Sequence, residues 1–153
     1  MGSEKKEAMP WLSVFINGKP IPQGNLTGFV AGGKVVLRHS DNRLIAWRGY
    51  AAGILANNAP SMLTNRPIAV QAIYHVPRPK SHYKSDGSLR SSAPEHVTSR
   101  PDLDKYLRAL LDAIQISGIV KDDSQVCAIA AMKIYSDEKE GVAVEIEPLD
   151  MAQ

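Results

Sequence analysis

The chain has 153 residues, 44% of them hydrophobic and 22% charged, a balance that suits one globular domain large enough to bury a core. No apolar run approaches the roughly 18 residues needed to cross a bilayer, and the opening MGSEKKEAMPW lacks the apolar centre of a signal peptide, so a soluble, cytoplasmic protein is expected. The net charge of +2 hides a division: residues 8–100 hold eleven Lys and Arg against three Asp and Glu, and residues 101–153 hold five against eleven.

Residues 1–9 read as a disordered start, and residues 10–150 as a single domain. Residues 12–16 alternate as a strand, which Asn17-Gly18 and Lys19-Pro20-Ile21-Pro22 end with strong turn chemistry. A hairpin follows, with arms at 26–30 and 34–38 around Ala31-Gly32-Gly33. Ser40 or Asp41 then caps a helix through Asn58, in which Leu44, Ile45, Trp47, Ala51, Ile54 and Leu55 fall near helical spacing, although Gly49 and Gly53 weaken it. Residues 67–76, PIAVQAIYHV, are apolar and β-rich enough for a central strand. Residues 77–99 are dense in Pro, Ser and Gly and carry Arg78, Lys80, Lys84 and Arg90. They are expected to form a basic loop, mobile until it meets its partner.

Leu103, Leu107, Leu110, Leu111 and Ile114 form the stripe of an amphipathic helix, with Pro101 in the first turn, Asp102 as N-cap and Gly118 as the left-handed stop. The turn 121–124 leads to a strand over 125–135, and a further turn leads to a last strand over 142–146. Cys127, the single cysteine, excludes an internal disulfide, and its apolar surroundings predict a small buried side chain. The expected class is α/β (α+β), a small mixed sheet packed by two main helices.

The stretch RPDLDKYLR, residues 100–108, places Asp102 and Asp104 at the start of that helix with basic residues on both sides. Asp122 and Asp123 follow one helix and one turn later. Carboxylates without neighbouring His or Cys suit a hard cation, Mg²⁺ or Mn²⁺, which can activate water and polarise a phosphodiester. The plainer alternative is structural: Asp102 as a cap, Asp122 and Asp123 as turn residues, and Asp104, Arg108 and Asp112 as a solvated ion-pair ladder. The basic and acidic parts fit a protein that grips a polyanion with one surface and gathers cations with another. Equally, they could simply pair with each other.

Residues 100–126, RPDLDKYLRALLDAIQISGIVKDDSQV, resemble the RusA family of Holliday junction resolvases, whose signature runs Arg-Pro-Asp-x-Asp-Asn-x-x-Lys, then Leu-Asp-Ala-Leu, then Asp-Asp-x-x-Val. GKPIPQG at 18–24, AWR at 46–48 and the basic VPRPKSHY at 76–83 are weaker echoes, similar to phage-borne relatives. The resemblance implies a small homodimer, phage or prophage encoded in a bacterial host, that binds four-way DNA junctions. It makes paired symmetric cuts with Mg²⁺ or Mn²⁺ and needs no small-molecule cofactor. On this pattern Asp102, Asp104 and Asp123 would hold the metal, with their acidic neighbour Asp122 as a further metal ligand. Two positions depart from it: Lys105 stands in place of Asn and Arg108 in place of Lys. Arg keeps the positive charge but does not readily release a proton, so Arg108 and Lys105 would act by offsetting charge. Arg78, Lys80, Lys84, Arg90 and Arg100 would hold the junction arms through phosphate contacts. A junction-binding module without catalysis, or a domain whose oppositely charged halves stack head to tail, would share much of this surface.

Overall fold

The computed structural model of the chain describes residues 10–24, 27–38 and 41–150. The expected disordered start, Leu26 and Ser40 lie outside the described residues. Strand β1 (Leu12–Asn17) leads to the hairpin β2 (Thr27–Ala31) and β3 (Lys34–Arg38), then helix α1 (Asn42–Asn58) and strand β4 (Ile68–Pro77). Helix α2 (Leu103–Ser117) and strands β5 (Val126–Ser136) and β6 (Gly141–Pro148) complete the chain. The main sheet has the order β1-β6-β4-β5, antiparallel except where β5 runs parallel to β4. This is the α+β arrangement of a mixed sheet and two helices that the sequence predicts.

Alternation along β4 and β6 turns Ile68, Val70, Ala72 and Tyr74 with Val142, Val144 and Ile146 to one face, where the helices cover them. Asp41 caps α1, its carboxylate accepting the Arg43 backbone N–H at 2.9 Å. The buried stripe of α1 is Leu44, Trp47, Ala51, Ala52 and Leu55, and Ile45, expected inside, lies off that stripe and is exposed. Helix α2 buries Tyr106, Ala109, Leu110, Ala113 and Ile114, while Leu103, Leu107 and Leu111 pack at the margin. The face is rotated toward Tyr106 because its ring stacks on Tyr74, 4.7 Å away at 12°. Gly118 adopts φ 79° at the helix end, as its position predicts.

The segment between β4 and α2 carries local structure that its composition does not announce. A 3-10 turn spans Lys80–His82, and the Arg90 N–H donates to the His82 carbonyl at 2.9 Å. Further on, the Val97 N–H donates to the Lys133 carbonyl and the Tyr135 N–H to the Glu95 carbonyl, so residues 95–97 line the outer edge of β5 at its far end. Before Lys133 that edge has no backbone partner among the described residues. Cys127 is exposed rather than buried, because β5 lies at the edge of the sheet, where Ala128, Ile129, Ala130 and Met132 are also exposed.

Among the described residues, three ion pairs join the basic and acidic parts of the chain: Arg48 with Asp112, Arg66 with Asp150 and Arg78 with Asp137. Internal pairing thus accounts for part of the charge division.

Candidate functional site

Pro101, expected in the first turn of α2, precedes the N-cap and follows a cis peptide bond from Arg100. Asp102 is the N-cap by position, with extended backbone, but its carboxylate makes no capping hydrogen bond. Its carbonyl starts the helix by accepting the Lys105 N–H, and its carboxylate lies exposed, 3.8 Å from Lys105 Nζ. Asp104 sits exposed in the first turn, and Arg108 is exposed one turn later. Neither has a hydrogen-bond or ion-pair partner among the described residues. The alternative ladder is not formed, since Asp112 turns to Arg48 of α1, 3.0 Å away. Two carboxylates and two cations therefore crowd the start of α2 with almost no structural use made of them.

Lys133 holds this region in place from β5. Its Nζ donates to the carbonyls of Ser99 and Pro101, both at 2.9 Å, on either side of Arg100. Sequence reasoning missed it, although a lone charge in the apolar strand VCAIAAMKIYS is the signal that marks it.

Asp122 and Asp123 stand beyond the opposite end of α2. The Asp122 carboxylate accepts the Ser124 N–H at 2.9 Å and caps the short 3-10 turn Asp123–Gln125, while the Gln125 side chain returns a bond to the Asp122 N–H. The Ser124 bonds and a hydrogen bond with Asp123 hold the Asp122 carboxyl below its usual value. The same shared bond, then burial, then the charges of Asp122 and Asp112 push the Asp123 carboxyl up. One of the two is therefore occupied as a cap, and the other keeps its proton to higher pH. In a carbon-detected titration Asp123 is expected to lose its proton at higher pH than Asp122. In Asp122→Asn the Asp123 midpoint should fall toward the ordinary 3.8, because the largest cause of its rise has been removed.

A helix of fifteen residues is about 22 Å long, so the Asp102–Asp104 pair and the Asp122–Asp123 pair lie well apart within one chain. Among the described residues, no three His, Cys, Asp or Glu side chains come close enough together to hold a metal ion.

The basic residues divide. Lys80, Lys84, Arg90 and Arg100 are exposed. Arg78 departs from the expectation that it faces DNA: its side chain is only 9% exposed, donates to the Pro94 carbonyl at 2.7 Å, lies 3.5 Å from Asp137 and packs over Tyr135. It fastens the loop that carries the others.

Two comparisons with known proteins bear on this geometry. Over 132 residues, 85% of this chain and 92% of its relative, the sequence is 28% identical to the uncharacterized protein YqaN of Bacillus subtilis (strain 168). The family model for the endodeoxyribonuclease RusA matches residues 17–147, from the last residue of β1 into β6, and so includes both acidic pairs and the loop between them. A match over that much of the fold places the chain in the RusA endodeoxyribonuclease family.

Proposed function

We propose that two copies of this chain form a metal-dependent endonuclease that resolves four-way DNA junctions by paired symmetric cuts. The observation that carries this reading is the start of α2, where Asp102 occupies a cap position without capping and Asp104 has no partner among the described residues. Exposed carboxylates repel DNA unless a cation lies between them, so their presence in an endodeoxyribonuclease family supports an ion at this end. When bound, Mg²⁺ or Mn²⁺ would supply charge neutralisation and an activated water.

Asp123 lies away from Asp102 and Asp104 within one chain, and β5 offers a route that would bring it to them from a second copy. This strand starts directly after the Asp122–Asp123 turn and ends beside the loop before Asp102, which Lys133 holds through the Ser99 and Pro101 carbonyls. Its free edge is apolar, a surface that proteins normally cover or pair. A two-fold axis through that edge would run the two strands antiparallel, bringing the Asp123 end of one copy beside the Asp102 end of the other. Asp102 and Asp104 of one copy and Asp123 of its partner would then share the ion, with Asp122 holding Asp123 in place.

Arg108 and Lys105 would offset charge developing on the scissile phosphate. Lys80, Lys84, Arg90 and Arg100 would grip the arms through phosphates, which gives salt-sensitive affinity with little base specificity. The dispersal of the carboxylates within one chain favours a second reading, a junction-binding protein without chemistry.

Cutting of a labelled four-way junction, beside a linear duplex of the same sequence, separates the two. Symmetric cuts on the junction with Mg²⁺ or Mn²⁺, none with EDTA, and little cutting of the duplex are expected. Tight junction binding with no cutting under any ion would leave the binding protein.

A further inference from the structure

Beside the start of α2 lies a cleft of about 280 Å³ whose walls come from the coil after β1, the ends of β4 and β5, and the loop before Asp102. Lys19, Arg100 and Lys133 line it against the single carboxylate of Glu140, so it favours an anionic guest. Its remaining walls are of a different kind. Tyr106 contributes an aromatic ring that is already stacked on Tyr74, and Val97 adds an apolar side. His75 lines the same cleft, and its buried Nδ1 has no hydrogen-bond partner. Burial, followed by the charge of Lys139, keeps that imidazole below its ordinary value, and a neutral ring has one donor and one acceptor to offer.

A bare phosphate would use the cations and leave the apolar side and the imidazole without a partner. An apolar ligand would bury the cations without compensation. A nucleotide satisfies both halves. We propose that this cleft receives one unstacked nucleotide of the DNA strand, its base between Tyr106, Val97 and His75 and its phosphate on Arg100 and Lys19. Arg100 and Pro101, the two residues directly before Asp102 in sequence, form part of the wall. This rests on the reading of the chain as a junction endonuclease and extends it to how a branch is told from a duplex. In a duplex the base must be pulled from its stack at a cost of a few kcal/mol, and that cost is least where pairing and stacking are already broken.

The test is binding, read without any cutting. The full-length protein, isotope-labelled, is titrated with each of the four deoxynucleoside 5′-monophosphates, with deoxyribose 5-phosphate and with inorganic phosphate, following the His75 ring and the Val97 amide by NMR. Shifts at both positions with nucleotides that are at least about fivefold weaker with the two base-free phosphates are expected. His75→Phe keeps a ring in place and should weaken nucleotide binding by about tenfold, the loss of one hydrogen bond. Equal response to inorganic phosphate would overturn the proposal in favour of a plain anion site, and so would shifts elsewhere or none. A protein that cuts junctions without these shifts refutes this inference alone, whereas one that shows them without cutting refutes only the nuclease reading.

Discussion

Asp104→Asn is expected to slow junction cutting by at least about a hundredfold while leaving junction affinity within about threefold. Asn has almost the same size and shape, and Asp104 is exposed with no partner among the described residues, so the substitution removes charge and little else. Its structural effect is limited to the helix macrodipole, where a first-turn carboxylate contributes about 0.3–1 kcal/mol. The fold should therefore survive with only a small drop in melting temperature, checked by circular dichroism. Affinity for DNA should hold or tighten slightly, because a negative charge facing phosphate has gone. If Asp104 served only the helix, the same variant would melt slightly earlier and cut as well as the wild type. Loss of cutting with retained binding and folding is the outcome that assigns the carboxylate to chemistry.

Much of this site was legible in the sequence because it is local. The existence of helix α2, the N-cap position of Asp102 and the left-handed Gly118 are set by residues within a turn or two of one another, and the structure places them as the spacing predicts. What escaped was long-range. Tyr74 rotates the buried face of α2 toward Tyr106 from a strand about thirty residues earlier, and Arg48 takes Asp112 away from the expected ladder. Cys127 misled for the same reason: an apolar run reads as buried in any strand, whereas its exposure depends on β5 being the edge of the sheet, which topology alone decides. Composition also understated the basic segment, whose Arg78 turns inward because Pro94, Asp137 and Tyr135 surround it. The separation of the two acidic pairs follows from helix length.

Mixing two inactive variants is expected to restore cutting. Suppose that each ion is held by Asp102 and Asp104 of one copy and Asp123 of its partner. A dimer of one Asp104→Asn chain and one Asp123→Asn chain then carries both defects in one site and none in the other. With free exchange about half of the dimers in an equal mixture are of this kind. They should nick one strand of a junction at close to the per-site rate of the wild type, but should not make the paired cut. Each variant alone should remain at least about a hundredfold down. If all the carboxylates acted within one chain, every site in the mixture would carry one defect, and mixing would restore nothing. Ile129→Lys introduced into both variants provides the control. A charge at an exposed apolar position of the β5 edge opposes strand pairing between copies. Rescue should then disappear, with sedimentation showing single chains. Rescue that persists with β5 charged would leave the shared site standing and move the interface to another surface.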